Sequence, residues 1–112
     1  PHAVSLALAA AVLVTGLHGI VMRGPTQPVC QMGTPCSEPA KGAVLSFLRS
    51  GHAATRVRVA FDGSYSVRLA PGRYTVRVVP ALRIGSGVAP ATVFVQRGRN
   101  PRRDFAIDTG IR

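Results

Sequence analysis

The sequence contains no tryptophan, and its aromatic residues are limited to four phenylalanines and two tyrosines. Beyond the apolar segment near its start, it also has no run of apolar residues at helical spacing. A core must therefore be built from Val, Leu, Ile and Ala with these few rings, a mixture that suits pleated strands better than helices. The 112 residues suffice for one domain and are too few for two.

Acidic residues are scarce, since four of them stand against fourteen basic ones and give a formal net charge of +10. Thirteen of the basic residues are Arg, and Lys41 is the single Lys. Such a balance favours binding to a polyanion, whether nucleic acid, anionic lipid or an acidic cell-wall polymer. A GC-rich genome produces the same composition through codon usage, so the charge alone does not select a function.

The chemistry of an active site is also missing. Asp104 and Asp108 occupy one strand-like run, where four residues separate the carboxylates by about 13 Å, too far for a catalytic acid and base. There is no Gly-rich phosphate loop and no Ser or Cys in a nucleophile motif. We therefore predict no catalytic residue, no cofactor and no enzymatic activity.

The longest apolar run extends from Ala3 to Val14 and is shorter than the roughly twenty residues of a membrane-spanning helix. Its length is typical of the apolar core of a secretory signal, and small residues around Thr15 suggest a cut after Gly16. We predict residues 1–16 to be the remnant of a signal peptide whose basic region is missing, and residues 17–112 to be a mature domain without a transmembrane span. A buried helix packed on the domain is the alternative.

Two cysteines, Cys30 and Cys36, lie in the segment from Gly24 to Gly42, which holds four Pro and three Gly. That composition excludes a helix or a central strand. In an exported protein such a pair most simply closes a short loop as a disulfide. A metal site would need two further ligands, for which only His18 and His52 are available at no recognisable spacing. We predict the disulfide and no metal.

From Arg56 onward, apolar and polar residues alternate with the period of a half-buried strand. Val57, Val59 and Phe61 are predicted to face the core, and Arg56 and Arg58 the solvent. The dipeptide Asp62-Gly63 is typical of a hairpin turn. The next run, from Ser64 to Leu69, is therefore predicted to pair directly with the first.

Further strand-like runs are bounded by Gly and Pro, and the stretch from Ala81 to Pro90 is predicted to be a long loop. These runs are Leu17 to Met22, Ala43 to Leu48, Tyr74 to Val79, Thr92 to Gln96 and Asp104 to Asp108. Seven short strands with turn signals between them predict an all-β, antiparallel, seven-stranded β-sandwich. A small closed barrel is the alternative.

The segment DGSYSVRLAPGRYTVRV, residues 62–78, resembles the hallmark of carboxypeptidase-regulatory-like domains. It combines an Asp-Gly turn, a strand led by an aromatic residue, a Leu-x-Pro-Gly-x-Tyr element and an alternating strand. The positions that carry the resemblance are Asp62, Gly63, Tyr65, Pro71, Gly72 and Tyr74. The resemblance covers about residues 17–108 and implies a prealbumin-like, or transthyretin-like, sandwich that serves a secreted bacterial protein as a spacer, stalk or accessory module.

Four arginines fall on outward strand positions and are the candidate anion-binding residues: Arg56, Arg58, Arg68 and Arg77. If they share one sheet, they form a basic surface suited to an anionic cell-wall polymer, a glycan or lipid head groups. The alternative is a set of solvated faces that prevent edge-to-edge aggregation. Nucleic acid is not expected, because no aromatic residues are interleaved with the arginines for base stacking. A secreted or cell-surface spacer and an anion-binding module are thus the two hypotheses, with an envelope polymer or envelope protein as partner.

Overall fold

The computed structural model describes residues 14–79 and 87–111, which form nine β-strands and no helix. The strands are β1 (Gly16–Gly24), β2 (Glu38–Pro39), β3 (Val44–Arg49), β4 (His52–Arg58), β5 (Ser64–Arg68), β6 (Gly72–Val79), β7 (Gly87–Ala89), β8 (Thr92–Val95) and β9 (Phe105–Asp108). The all-β prediction is confirmed. In the part of the chain so described, no helix is long and apolar enough to cross a membrane.

The strands form a five-stranded and a four-stranded sheet. In the first, the order is β2-β1-β9-β7, and β5 also pairs with β1. This is possible because β1 is long: its residues 16–20 pair with β5, whereas Met22 and Arg23 pair with β2. The second sheet has the order β4-β3-β6-β8. All pairs of strands are antiparallel except β1 and β9, which run parallel.

The core lies between the two sheets, where alternate residues of the strands meet. Phe105 on β9 contacts Phe47 on β3 across the sheets, with ring centroids 6.1 Å apart, and Tyr65 on β5 at 5.6 Å. The other large buried side chains are Leu17, Val21, Leu45, Val59, Val67, Leu69, Tyr74, Val76, Val93, Val95 and Ile107. Two sheets packed face to face around one core are a β-sandwich-like arrangement.

The strand count and the pairing differ from the prediction in two segments rich in Pro and Gly. The two-residue β2 lies inside the segment that holds the cysteines, after Cys36, and the three-residue β7 lies inside the stretch predicted as a loop. Both are short and lie at the edges of their sheet. Pro39 has no N–H to donate, but an edge strand has only one neighbour, so no second strand is left without a hydrogen-bond donor. The parallel β1–β9 pair makes the five-stranded sheet mixed rather than antiparallel.

The dipeptide Asp62-Gly63 does form a tight turn, in which the N–H of Gly63 donates to the carbonyl of Ala60 at 2.9 Å. The strands that it joins lie in different sheets, however, because β4 pairs with β3 and β5 pairs with β1. The predicted direct pairing is therefore wrong. The predicted inward position of Phe61 is also wrong: β4 ends at Arg58, and Phe61 in the turn is 83% exposed.

The hairpin that does form joins β3 to β4. Arg49 is in register with His52, and the two residues between them, Ser50 and Gly51, have φ of 53° and 80°. Positive φ at both central residues is the geometry of a tight hairpin turn that follows the twist of the strands. The predicted strand begins at Arg56, four residues after the observed start of β4 at His52.

Most of the predicted signal segment, residues 1–13, lies outside the described residues. The folded unit reaches back to Thr15, whose carbonyl accepts the N–H of Leu69 at 3.1 Å and whose hydroxyl oxygen accepts the N–H of Gly98 at 2.8 Å. The N–H of Gly16 donates to the carbonyl of Arg99 at 3.0 Å. On the predicted signal side of the boundary, Gly16 is thus the first residue of β1, and Thr15 is hydrogen-bonded to the folded domain.

Candidate functional site

The outer face of the four-stranded sheet carries a row of two arginines around a serine. Arg56 on β4 and Arg77 on β6 are both in register with Ser46 on the strand between them. In-register side chains on one face have Cβ atoms about 5 Å apart, so the two arginines stem from points about 10 Å apart. Ser46 faces outward, because its neighbours along the strand are buried, yet it is only 3% exposed. It therefore lies beneath the side chains around it.

Two more arginines, one on β4 and one on β6, lie on the same outer face. Arg58 lies two residues from Arg56 on the same strand face, about 7 Å away, and its guanidinium donates to the carbonyl of Gly42 at 3.2 Å. Arg73 on β6 is in register with Phe94 on β8, and its guanidinium carbon lies 5.7 Å from the centre of that ring. We call this surface the arginine face; its residues are Arg56, Arg58, Arg73, Arg77, Ser46, Thr75, Thr92 and Phe94.

No carboxylate neutralises the arginine face. Among the described residues, the strands β3, β4, β6 and β8 contain no Asp or Glu. All four acidic residues of the chain belong to the five-stranded sheet or to the segments that lead into it: Glu38, Asp62, Asp104 and Asp108. The ion pairs Arg23–Glu38, at 3.4 Å, and Arg102–Asp104, at 3.0 Å, also lie on that side of the molecule. The arginine face therefore presents unbalanced positive charge to solvent.

The structure brings three of the four predicted anion-binding residues together and separates the fourth. Arg56, Arg58 and Arg77 share the arginine face, whereas Arg68 lies on β5 in the other sheet, opposite Gly16 of β1. Arg73 also belongs to this group although it is not among the predicted anion-binding residues. Its signal was present in the sequence, because Arg73 and Arg77 are four residues apart on one strand and so point to the same side.

The arginine-rich segment after β8 has a structural role. Residues 97–104 connect β8 of one sheet to β9 of the other, and they run along β1 on the way. The N–H of Arg103 donates to the carbonyl of His18 at 2.7 Å, and the His18 ring nitrogen Nδ1 lies 3.3 Å from Oδ1 of Asn100. The hydrogen bond from Arg102 and, to a smaller extent, the one from the N–H of Ile20 lower the pKa of Asp104. The segment is therefore a braced connection, separate from the arginine face.

The first part of the family-like motif forms the turn between β4 and β5. Asp62 accepts hydrogen bonds from the hydroxyl and the N–H of Ser64, at 2.7 and 3.0 Å, and these bonds lower the pKa of Asp62. Gly63 is buried with φ of 89°, and an added Cβ would lie 3.0 Å from the carbonyl oxygen of Val21. Gly63 is therefore required both by its backbone conformation and by the close approach of β1.

The second part of the motif anchors two tyrosines in the core. The hydroxyl of Tyr65 donates to the carbonyl of Arg103, and burial raises the pKa of this phenol. The hydroxyl of Tyr74 donates to the carbonyl of Ala70 at 2.7 Å, a tyrosine-corner contact of the kind found in β-sandwiches. Pro71 and Gly72 lie between these last two residues and lead into β6. Asp62, Gly63, Tyr65 and Tyr74 thus have structural roles in the fold.

Cys30 and Cys36 form the predicted disulfide, with Cα atoms 5.6 Å apart. Two apolar side chains are exposed here: Met32 inside the loop that they close, and Val29 directly before Cys30. In the ranges that the structure describes, no group of three or more His, Cys, Asp or Glu residues could hold a metal ion.

The chemistry available on the arginine face is the recognition of anions. Guanidinium groups keep their charge at all physiological pH values and bind carboxylate, sulfate or phosphate oxygens through paired N–H donors. The face is open and carries charges on β4 and β6, on either side of β3, so it suits an extended ligand better than a small enclosed one. A scan against protein-family models and a search of curated proteins each found no match.

Proposed function

We propose that this chain is a non-catalytic accessory β-sandwich module of a secreted or cell-surface bacterial protein, and that its arginine face attaches the module to an anionic polymer of the cell envelope. The observation that carries the proposal is the row of Arg56 and Arg77 around Ser46, extended by Arg58, in a sheet whose described strands contain no acidic residue.

A polymer is a better ligand for this face than a small anion. A single exposed ion pair contributes little, about 0 to 1 kcal/mol, because water and salt screen it. A polymer that carries charges at intervals can engage several guanidinium groups at once, and each further contact then forms at high effective concentration. Arg56 and Arg77, about 10 Å apart, and Arg58 close beside them offer such a set of contacts.

The module type and its location are further parts of the proposal. The carboxypeptidase-regulatory-like assignment, with its prealbumin-like sandwich, is supported by the places of the motif residues, which form two turns and two buried tyrosine anchors. Export is supported by the Cys30–Cys36 disulfide, since such bonds persist in oxidising compartments, and by the apolar run that precedes the domain. A spacer without a ligand is the second candidate, favoured by the structural roles of Asp62, Gly63, Tyr65 and Tyr74.

The non-catalytic part of the proposal rests on how the acidic residues are used. Asp62 caps its own turn, Asp104 bonds to Arg102 and Ile20, and Glu38 pairs with Arg23. These contacts give each of the three carboxylates a structural partner within the fold.

The test is retention of the purified protein on immobilised polygalacturonate and on immobilised polyphosphate across a range of salt concentrations. Replacing Arg56, Arg58 and Arg77 with Ser removes three charges from the face. The matched control replaces Arg68, Arg97 and Arg99 with Ser, which removes three charges elsewhere. We expect the first variant to elute at much lower salt and the control to behave nearly as the wild type.

The salt dependence of binding provides a second measurement in the same experiment. Each guanidinium that neutralises a polymer charge releases about one counterion. The slope of log affinity against log salt concentration is negative and should therefore become less steep by about three in the first variant. Equal losses in both variants would show binding by net charge alone and contradict the assignment to this face. No retention of the wild type at low salt would leave the spacer as the function.

A further inference from the structure

Resting on the proposed function, we infer that the polymer bound by the arginine face is an acidic polysaccharide, whose sugar ring stacks on Phe94 while its charges bind the arginines. Phe94 is 64% exposed, although its neighbours Val93 and Val95 are buried in the core. It is the single aromatic residue among the described residues of this face.

The ring of Phe94 is held in place by its neighbour. Arg73, its register partner on β6, holds its guanidinium carbon 5.7 Å from the ring centre, the distance of a cation–π contact. Among the residues that the structure describes, β8 is the last strand of its sheet, so no further described strand borders the side of the Phe94 ring away from Arg73. The result is a pre-oriented flat apolar surface at one end of the arginine face.

The polar groups of the face lie between this ring and the charged row. Arg73 and Arg77 are four residues apart on β6, which separates them by about 13 Å along the strand. Midway between them, Thr75 and Thr92 are in register and both are exposed. A ligand lying along β6 would therefore meet an aromatic ring, then two hydroxyl groups, and then the row of Arg56 and Arg77.

This order of groups matches an acidic sugar polymer. The C–H face of a pyranose ring fits the negative face of an aromatic ring, its hydroxyls bond to Thr hydroxyls, and its carboxylates or sulfates bind guanidinium groups. Linear polyphosphate has charges but no rings, so it would not use Phe94. Nucleic acid carries a base on every nucleotide and is held by repeated stacking, whereas this face has one aromatic side chain.

The experiment compares two exposed phenylalanines on two polymers. Phe94→Ala and Phe94→Trp alter the proposed stacking surface, and Phe61→Ala is the matched control, because Phe61 is also exposed but lies in the β4–β5 turn. We expect Phe94→Ala to weaken binding to polygalacturonate roughly five- to tenfold and to leave polyphosphate binding unchanged. Phe94→Trp should retain or strengthen binding to polygalacturonate. Far-UV circular dichroism checks that each variant is folded.

The outcomes separate this inference from the proposed function. If Phe94→Ala changes neither affinity while the triple Arg variant loses both, ring recognition is overturned and the anion-binding function stands. Equal losses on both polymers, or an equal effect of Phe61→Ala, would also overturn it. Retention of a thymidylate oligomer that is tighter than that of polygalacturonate and depends on Phe94 would reject a polysaccharide as the ligand. Failure of the wild type to bind either polymer would reject both proposals.

Discussion

Asp104, directly before β9, accepts a hydrogen bond from the backbone N–H of Ile20 in the middle of β1 at 2.9 Å. The same carboxylate accepts from the guanidinium of Arg102 at 3.0 Å. One side chain thus fastens the long connection between the sheets to the strand that organises the five-stranded sheet. Because the hydrogen bonds from Arg102 and Ile20 favour the charged form, they lower the pKa of Asp104.

Acid should weaken the fold through this carboxylate. Its pKa is lower in the folded chain than in the unfolded chain, so its contribution is present above the unfolded value of about 4 and is lost as the pH falls through the folded value. We expect the free energy of unfolding, measured by urea titration from pH 7 to pH 2, to decline at the acid end. Asp104→Asn should be less stable at pH 7 and should show a shallower decline. An unchanged decline would contradict the role of Asp104.

Tyr65→Phe should destabilise the protein by about 1 to 2 kcal/mol, because it leaves the carbonyl of Arg103 without its phenolic donor. It should also alter the response to alkali. Burial raises the pKa of Tyr65, so its contribution is complete below the unfolded value of about 10 and is lost as the pH rises above it. The Phe variant lacks this loss. Urea titrations at pH 7 and pH 11 test both statements, and a stability gap that does not narrow at pH 11 would contradict the second.

Gly63→Ala should destabilise the protein more than Gly42→Ala. Both glycines have positive φ, 89° and 77°, so each substitution carries a backbone cost of about 1 kcal/mol or more. Only at Gly63 would the added Cβ also lie 3.0 Å from the carbonyl oxygen of Val21, whereas no atom lies within 4 Å at Gly42. We expect about 2 to 4 kcal/mol for Gly63→Ala by thermal and urea denaturation. Equal losses of stability in the two variants would show that β1 moves away from the added Cβ at no cost in free energy, which would contradict the prediction.

Replacing Cys30 and Cys36 with Ser should lower the free energy of unfolding by about 2 kcal/mol, since the disulfide closes a short loop in the unfolded chain. The N–H of Thr26 also donates to the carbonyl of Cys36 at 2.9 Å, which keeps the loop close to the sandwich when the bond is absent. The variant should therefore remain folded and bind polygalacturonate as the wild type does. Reduction of the wild type with dithiothreitol is the control and should give the same loss, and a variant of unchanged stability would contradict the prediction.

The alternation of residues predicted which side chains of each strand are buried, because that pattern depends only on the chain itself. Val67 and Val76 are both inside, as expected. Which sheet a strand joins depends instead on pairing with distant segments. β5 pairs with β1, whose residues lie more than forty positions earlier, and this choice placed Arg68 on the opposite side of the molecule from Arg77.

The candidate site was predictable to the same degree. Arg56, Arg58 and Arg77 were found because outward arginines on regular strands are visible in the sequence. Phe94 was not, because an alternating strand with Val, Phe and Val reads as apolar on both faces, and only the packing of β8 on β6 shows which face is buried. The contact with Arg73 likewise joins residues on two strands that no local pattern connects.

The parallel pairing of β1 with β9 determines how the module would carry load. Residues 21–24 are in register with residues 105–108, so the chain enters this sheet at one end of the sandwich and leaves it at the other. Tension applied between residues 16 and 108 would pull the two strands in opposite directions along their length. The hydrogen bonds between them would then be sheared together rather than peeled open one by one, so this pairing would resist a force applied along the strands.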